Sequence, residues 1–407
     1  MQHAVGLDKQ QKCKTLVVGL GKTGLSCARF LVEQGSPVAV TDSREHPPGL
    51  AELRETLPNV AVFLGGFDEL AFSSAEQIVV SPGVSIKEPL IAAAAARGIP
   101  VIGDIELFVQ HAKAPIVAIT GSNGKSTVTT LVGELLQCAG YKVAVGGNLG
   151  TPALTLLADD CDVYVMELSS FQLETTFSMN AAAAVVLNIS PDHLDRYESM
   201  AAYAAAKMTV YRGDGVVVIN RDEPLTAHWL TASRQWRSFG LSQPQQPEEF
   251  GIGEYAGQTW LMRGTTPLLP EEALTLRGRH NVANVLAALA LLDALGVVAE
   301  RVLERVKSFQ PLQHRMQRVA EQGGVCWYND SKGTNVGATT AALAGVPGSV
   351  VLIAGGIGKG ADFTPLRQVV AAKARAVVLI GQDAKLLAEV LAGTAPLVYA
   401  TTMGEAV

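Results

Sequence analysis

Short apolar runs alternate with helical patterns in the N-terminal part of the chain. Runs rich in Val, Ile and Leu predict strands, and amphipathic or Ala-rich segments between them predict helices. The predicted strands cover 15–18, 38–41, 78–81 and 99–102, and the predicted helices cover 23–34 and 92–96. Strands that alternate with helices pair in parallel through right-handed crossovers. We therefore predict a Rossmann-like α/β domain over residues 1–113.

The same alternation continues through the rest of the chain. In the middle part, strands are predicted at 115–119, 142–145, 162–167, 183–187 and 216–219, and helices at 128–138, 199–211 and 281–295. Residues 234–275, rich in Gln, Pro, Gly and Thr, indicate an irregular or antiparallel β insertion. The last part has predicted strands at 325–328, 349–354, 376–380 and 397–400. We predict an α/β protein of three consecutive domains: 1–113, a central parallel-sheet domain at 114–309, and a second Rossmann-like domain at 310–407.

Composition narrows the class of protein. The 407 residues are too many for one ordinary core, and 48% are hydrophobic while 17% are charged. The net charge of −6 argues against a general nucleic-acid binder. No apolar run reaches the roughly 20 residues that cross a bilayer, and the first residues lack a signal-peptide pattern. The five cysteines are scattered without CxxC spacing, which is typical of a reducing compartment. Together, these observations predict a cytoplasmic enzyme with no nucleic-acid partner and no membrane span.

Residues 120–127, TGSNGKST, lie between a predicted buried strand and a predicted helix. A glycine turn at a helix N-terminus directs backbone N–H groups at a phosphate, and the lysine adds a positive charge. The candidate nucleotide-binding residues are Gly121, Ser122, Asn123, Gly124, Lys125, Ser126 and Thr127, with Ser126 or Thr127 as the hydroxyl ligand of Mg²⁺. The general pattern also requires a glycine where this chain has Ile119. The segment is therefore a variant ATP-binding loop.

A second glycine-rich turn, GLGKTG at 19–24, follows the first predicted strand. With Asp42 at the end of the next strand it matches a dinucleotide-binding pattern, which would indicate NAD or FAD. Two other interpretations stay open. One is a tight turn without a ligand, and the other is a site for a different diphosphate, because backbone amides recognise pyrophosphate and not nicotinamide. A nucleotide-linked substrate plus ATP explains both glycine turns more simply than a redox cofactor plus ATP.

Three residues of the middle part are candidate metal ligands. Glu167 ends a very apolar predicted strand, where a metal-holding carboxylate commonly lies, although a capping role is the alternative. His193, in NISPDHLDR, follows another buried strand; taken alone it is more typical of a loop or helix-cap histidine, but at the end of a neighbouring strand of the same sheet it is a candidate second metal ligand. Lys207 lies on a predicted helix, and a solvated lysine is the simple interpretation.

Polar residues also follow a strand of the last part. Residues 329–335, NDSKGTN, combine an acid, a base and small polar groups at a predicted strand end, where α/β proteins bind ligands. His314 and Arg315 upstream and GGIGK at 355–359 downstream add cations. Each could be an ordinary loop, but three such segments on one edge favour a ligand site.

With these motifs the chain resembles the Mur ligase family, most closely the members that add D-glutamate. The resemblance runs from about Thr15 to the last residue. It includes TGSNGKST, GDIELF at 103–108, ELSSFQLE at 167–174, DHLDRY at 192–197 and DSKGTN at 330–335, where these members usually have DSKATN. It implies a three-domain, monomeric ligase that uses ATP and Mg²⁺ to join D-glutamate to UDP-N-acetylmuramoyl-L-alanine through an acyl phosphate, in peptidoglycan precursor synthesis.

The resemblance also implies roles for individual residues. Lys125 would neutralise the ATP phosphates. One Mg²⁺ would be held by Ser126 and Glu167, and a second by His193 and a carbamylated Lys207. The UDP substrate would contact Lys22, Thr23, Asp42, Ser43, Arg44, Ser81, Pro82 and Gly83 through its uridine diphosphate, and Asn148 and Gln172 through its muramoyl-alanine part. Adenine, the ATP ribose and the phosphates would contact Asn281, Asp330 and Arg315, while D-glutamate would contact Lys332, Thr334 and Lys359.

The C-terminal end departs from the family. Family members continue with a further strand and a motif containing Ser, Phe and Arg that completes the D-glutamate pocket, whereas residues 401–407 resemble the first turn of a helix. We therefore expect the last domain to be incomplete and, if the protein ends at Val407, to have an exposed sheet edge, reduced stability and weak amino-acid binding. Two rival functions stay open at this point: an NAD-dependent oxidoreductase, and a non-catalytic nucleotide-sensing protein.

Overall fold

A computed structural model describes residues 15–157, 160–229, 234–358 and 360–407. Within these ranges the strands form four sheets, and helices alternate with most of the strands, which confirms the predicted α/β class. No helix in the described ranges is both long and apolar enough to cross a membrane.

The first sheet confirms the predicted N-terminal α/β arrangement. Its strands are β1 (Thr15–Val18), β2 (Val38–Asp42), β3 (Ala61–Leu64), β4 (Gln77–Val80) and β5 (Val101–Ile102), in the order β3-β2-β1-β4-β5, and all neighbours are parallel. The helices are α1 (Lys22–Glu33), α2 (Leu50–Thr56), α3 (Glu69–Ser74), α4 (Pro89–Ala96) and α5 (Asp104–His111). The unpredicted elements β3, α2, α3 and α5 span only 4 to 8 residues, which is too short to show a clear hydrophobic period.

The second sheet has nine strands. They are β6 (Ile116–Thr120), β7 (Val143–Gly147), β8 (Val163–Glu167), β9 (Ala183–Val186), β10 (Val216–Asn220), β11 (Trp236–Phe239), β12 (Glu249–Tyr255), β13 (Gln258–Arg263) and β14 (Thr266–Pro270). Their order is β14-β13-β12-β11-β10-β9-β6-β8-β7. The predicted insertion is antiparallel only from β12 to β14, because β11 pairs in parallel with β10 and with β12.

Within the described part of the chain, five helices accompany this sheet. They are α6 (Lys125–Cys138), α7 (Ser170–Glu174), α8 (Met200–Met208), α9 (Arg279–Ala294) and α10 (Leu303–Ser308). The helix predicted at 199–211 ends earlier, because residues 209–211 tighten into a 3₁₀ turn. Ten residues of α9 are buried, as its Ala- and Leu-rich pattern predicts.

The last part contains two separate sheets. An antiparallel pair is formed by β15 (Gln317–Gln322) and β16 (Val325–Asn329), and a parallel sheet by β17 (Val350–Gly355), β18 (Ala374–Ile380) and β19 (Leu397–Tyr399). The helices are α11 (Val336–Gly345), α12 (Leu366–Lys373), α13 (Ala384–Leu391) and α14 (Met403–Ala406). The expectation that the segment after β16 shares a sheet edge with GGIG is therefore wrong. Within the described residues β16 pairs with β15, which the polar sequence QRVAEQ did not reveal.

The chain divides into two compact units. The first comprises residues up to 118, 142–181 and 209–214, and the second comprises 119–141, 182–208 and 215–407. These limits differ from the proposed domain boundaries at 113 and 309, which stay predictions.

Candidate active site

The loop between β6 and α6 has the backbone of a phosphate-binding turn. Gly121 and Gly124 have φ angles of 147° and 84°, which favour glycine. A Cβ atom on Gly124 would lie 2.4 Å from Oδ1 of Asn284. The Nζ atom of Lys125 donates to the carbonyl oxygens of Gly121 and Ser122, at 2.8 and 2.9 Å. The lysine thus folds back over its own loop and places a positive charge at the N-terminus of α6.

The segment after β9 braces this loop. Asn188 accepts hydrogen bonds from the backbone N–H of Ser122 through its carbonyl oxygen and from that of Asn123 through Oδ1, both at 2.9 Å. Its Nδ2 atom donates in turn to the Asn123 carbonyl oxygen at 3.0 Å. The hydroxyl of Ser122 donates to the carbonyl oxygen of Ser190 at 3.0 Å. Asn188 was not among the predicted site residues. Its position directly after a buried strand, where α/β proteins bind ligands, could have indicated it.

Lys207 is buried against the loop, so the interpretation as a solvated lysine is wrong. Its side chain is 2% exposed, and Nζ donates to the Gly121 carbonyl oxygen at 3.0 Å. Nζ also lies 4.6 Å from the centre of the Tyr203 ring. Burial raises the pKa of Tyr203 to about 12, and its hydroxyl lies 3.1 Å from the Ser122 hydroxyl. Lys207 and Tyr203 therefore both contact the phosphate loop.

His193 lies near Tyr203 in the second unit. Its ring centre is 6.4 Å from that of Tyr203, and its Nε2 atom is 3.7 Å from Oδ2 of Asp192. The residue has a positive φ of 56°, which is uncommon for a non-glycine residue and typical of a specialised turn.

Glu167 is the last residue of β8 in the first unit, and only one of its two carboxylate oxygens accepts a hydrogen bond within the described residues. It is 3% exposed, and Oε1 accepts a hydrogen bond from Nδ2 of Asn148 at 2.7 Å. Among the described residues, Oε2 has no hydrogen-bond partner. A buried carboxylate oxygen without a donor is costly, and it suits a hard cation such as Mg²⁺. No group of three His, Cys, Asp or Glu side chains in the described ranges could hold a metal by itself.

A cavity of about 600 Å³ lies in the first unit beside the GLGKTG turn. It brings together all ten residues that were predicted for the UDP substrate, namely Lys22, Thr23, Asp42, Ser43, Arg44, Ser81, Pro82, Gly83, Asn148 and Gln172. The lining also includes residues that the sequence did not single out, namely Phe67, Val84, Gly147, Gly150 and Pro152. The turn itself is tight, because the Ser81 hydroxyl donates to the Gly19 carbonyl oxygen at 2.8 Å and a Cβ on Gly24 would lie 1.8 Å from that oxygen.

Asp42 lines the cavity, and its carboxylate accepts four hydrogen bonds. Oδ2 accepts from the Leu20 N–H and from Nη2 of Arg44, both at 2.7 Å. Oδ1 accepts from the N–H and Nε of Arg44, at 2.9 and 2.8 Å. Burial alone would raise the pKa of Asp42, but these hydrogen bonds outweigh it and lower the pKa to about 2. Four donors fill the acceptor capacity of a carboxylate, so this geometry does not support the ribose-binding role of the dinucleotide interpretation.

The residues predicted for ATP have partners within the second unit. Nη2 of Arg315 donates to the Ser126 hydroxyl at 3.1 Å, while its buried Nε has no partner among the described residues. Burial raises the pKa of Asp330, whose Oδ1 accepts from the Met316 N–H at 3.0 Å. Burial lowers the pKa of His280, and the charge of Asp330 opposes that shift. His280 is therefore a neighbour of Asp330 that the sequence did not indicate. Asn281 donates through Nδ2 to the Arg277 carbonyl oxygen at 2.8 Å.

The residues predicted for D-glutamate lie outside the buried part of this site. Lys332 and Thr334 are exposed in the segment between β16 and α11, and Lys359 lies outside the described residues. The adjacent Asn335 does reach the phosphate loop. Its Nδ2 donates to Oδ1 of Asn123 at 2.9 Å, and Nδ2 of Asn123 donates back to Oδ1 of Asn335 at 3.2 Å.

Three family models match the chain in sequence order. The Mur ligase MurD-like N-terminal domain matches residues 13–103, the Mur ligase middle domain 119–292, and the Mur ligase glutamate ligase domain 314–407. UDP-N-acetylmuramoylalanine–D-glutamate ligase from Nitrosococcus oceani is 54% identical over 98% of this chain and 89% of that protein. The enzyme of the same name from Pseudomonas aeruginosa is 52% identical over 96% of this chain and 88% of that protein.

Solved structures show the same fold at lower identity. UDP-N-acetylmuramate–alanine ligase from Thermotoga maritima has a TM-score of 0.60 at 19% identity, over 96% of this chain and 90% of that one. MurF from Acinetobacter baumannii has a TM-score of 0.59 at 20% identity, over 98% of this chain and 86% of that one. The family models and the sequence relatives decide the assignment, and the chain belongs to the Mur ligase family.

Proposed function

We propose that this chain is an ATP-dependent ligase that joins D-glutamate to UDP-N-acetylmuramoyl-L-alanine in peptidoglycan precursor synthesis. The observation that carries the proposal is that one chain has both an intact phosphate loop and a cavity of about 600 Å³ beside a second phosphate-binding glycine turn. This combination fits a nucleotide-linked substrate that is activated by ATP. The 52 to 54% identity to D-glutamate ligases supports D-glutamate as the acceptor.

The proposed reaction has two steps. The alanine carboxylate of the UDP substrate attacks the γ-phosphorus of ATP, the bond between γ-phosphorus and bridging oxygen breaks, and an acyl phosphate and ADP result. The D-glutamate amine then attacks the acyl carbon, loses a proton, and expels inorganic phosphate to leave the amide. Phosphoryl transfer of this kind depends on positioning and on neutralisation of charge.

Residues of the second unit would bind ATP. The loop residues from Gly121 to Thr127 would hold the phosphates. Among them, Lys125 would exchange its bonds to the loop carbonyl oxygens for bonds to phosphate oxygens. Arg315, Asp330 and Asn281 would bind the phosphates, ribose and adenine. Mg²⁺ would neutralise phosphate charge, with Ser126 and Glu167 as ligands of one ion, and His193 and a carbamylated Lys207 as ligands of a second. The unpartnered Oε2 atom of Glu167 supports this assignment.

Residues lining the cavity would hold the UDP substrate, with the glycine turn at its diphosphate and Asn148 and Gln172 at its muramoyl-alanine part. Lys332, Thr334 and Lys359 would pair with the carboxylates of D-glutamate. We also propose that the enzyme works as a monomer in the cytoplasm.

Omission assays test this function. The protein is incubated with UDP-N-acetylmuramoyl-L-alanine, D-glutamate, ATP and Mg²⁺, and phosphate release is followed. Release should require all four components and fall to background when L-glutamate replaces D-glutamate. Binding of ATP without any release that depends on the amino acid would instead favour a nucleotide-sensing protein.

A further inference from the structure

We infer that Asp104 is a positioning residue that fixes the side-chain amide of Gln172 in the substrate cavity. This inference rests on the proposed function, in which that cavity holds the UDP substrate. Asp104 is the first residue of α5, and its Oδ2 atom accepts a hydrogen bond from Nε2 of Gln172 at 3.0 Å. Gln172 lines the cavity, whereas Asp104 does not.

The hydrogen bonds of Gln172 define which way its amide faces. Oε1 accepts from the backbone N–H of Ser169 at 3.1 Å, and the Ser169 hydroxyl accepts from the backbone N–H of Gln172 at 3.2 Å, so the two bonds form a capping box at the start of α7. A backbone N–H can only donate and an ionised carboxylate can only accept. The amide oxygen must therefore face Ser169 and the amide nitrogen must face Asp104, which leaves one N–H of Nε2 for another partner.

The first turn of α5 is fixed against the end of α7. The backbone N–H of Gly103 donates to the Thr175 carbonyl oxygen at 3.0 Å. A Cβ atom on Gly103 would lie 2.2 Å from Oγ1 of Thr175, so the two segments approach as closely as glycine allows. Asp104 consequently has a fixed position from which it can orient Gln172.

The burial of Asp104 is costly for stability, which favours a role in the site. The residue is 2% exposed, and Oδ1 makes no well-formed hydrogen bond within the described residues. Burial raises its pKa to about 6, although the Gln172 hydrogen bond and the nearby N–H groups of Ile105 and Asp104 itself partly offset the increase. Cys27 on α1 is also buried, and burial and then the Asp104 charge raise the pKa of its thiol. An apolar side chain would avoid this cost but would remove the acceptor that orients Gln172.

Steady-state kinetics of Asp104 variants test the inference. Asp104→Leu and Asp104→Ala remove the acceptor, and each should raise the KM for UDP-N-acetylmuramoyl-L-alanine about tenfold, with kcat and the KM for ATP within about twofold. Asp104→Asn keeps an acceptor oxygen and should stay within about threefold of wild type. The matched control is Glu106→Gln on the same helix, because Glu106 accepts from the N–H groups of Phe177 and Ser178, and neither of these residues lines the cavity. It should lower the melting temperature without raising that KM.

Each outcome has a defined meaning. An unchanged KM in folded Asp104→Leu or Asp104→Ala would overturn the inference, as would an equal rise in Glu106→Gln. If both acceptor-free variants fail to fold while Asp104→Asn folds, the acceptor oxygen of residue 104 serves the fold and the inference is also overturned. A wild-type protein that forms no amide product would contradict the proposed function instead, so the two failures are distinguishable.

Discussion

Five charged side chains in the described ranges are almost fully buried, namely Asp42, Asp104, Glu106, Glu167 and Lys207. Burial of a charge is unfavourable unless other groups compensate for it. Each of the five has at least one hydrogen-bond partner, and Glu167 and Asp104 each keep one oxygen without a partner among the described residues. At the scale of single residues, all of these except Glu106, which bonds to Phe177 and Ser178 outside the cavity, are the strongest structural indications of function.

The role of Lys207 can be tested by removing its amine. Lys207→Ala should lower kcat by about a hundredfold or more, because a carbamate oxygen is lost from a preorganised charged site. Added short carboxylic acids should partly restore turnover by occupying the space. Lys207→Arg is the control that keeps a positive charge but cannot form the carbamate, and acids should not rescue it. Wild-type activity in Lys207→Ala would show that the carbamate assignment is wrong.

The Asp42 carboxylate should stabilise the fold in a pH-dependent way. Its pKa is lowered from 3.8 to about 2, so its contribution to the free energy of unfolding is present above pH 4 and is lost as the pH falls towards 2. Thermal melts of wild type and Asp42→Asn should therefore differ most above pH 4 and converge at lower pH. A difference that stays constant from pH 6 to pH 2.5 would contradict this account.

The sequence indicated the residue types of the site but not their surroundings. The spacing of TGSNGKST and GLGKTG was enough to predict both glycine turns, because their backbone geometry is local. The burial of Lys207 could not be predicted, since an Ala-rich helix with one lysine is equally compatible with a solvated side chain. The bond from the Leu20 N–H to Asp42 was likewise not predictable, because it depends on the tertiary fold, whereas the three donors of Arg44 lie only two residues away in sequence.

At the scale of elements, the side chain of Asn335 connects the start of α11 to the phosphate loop through hydrogen bonds. Oδ1 of Asn335 caps α11 by accepting from the Ala338 N–H at 2.9 Å, and Nδ2 donates to Asn123 and to Oδ2 of Asp192, at 2.9 and 3.3 Å. The strand before this segment belongs to the β15–β16 pair. That pairing was not predictable, because most residues of both strands are exposed and β15 lacks an apolar run.

Substitution of Asn335 separates these two roles. Asn335→Ser keeps a capping oxygen and loses the amide donor, so the KM for ATP should rise about fivefold with an unchanged melting temperature. Asn335→Ala should also lose the cap, which costs about 1 kcal/mol of stability. An unchanged KM for ATP in both variants would show that the amide pair with Asn123 does not influence nucleotide binding.

At the scale of the whole molecule, the three family models follow one another over residues 13–407. The predicted α/β class and most of the predicted strands are confirmed, because parallel α/β units have strong local patterns. The rival NAD-dependent oxidoreductase depended on GLGKTG and Asp42. Because all acceptor positions of Asp42 are used within the protein, titration with NADH should produce no saturable change in its fluorescence. Saturable binding at micromolar NADH would revive that alternative.

The most direct test of the ligase follows the oxygen atoms of the alanine carboxylate. UDP-N-acetylmuramoyl-L-alanine with both carboxylate oxygens labelled with ¹⁸O is incubated with the protein, ATP, Mg²⁺ and D-glutamate, and the products are analysed by mass spectrometry. An acyl phosphate predicts one ¹⁸O in the released phosphate and one in the carbonyl of the new amide. Unlabelled phosphate, or release of phosphate without the amide, would contradict the account.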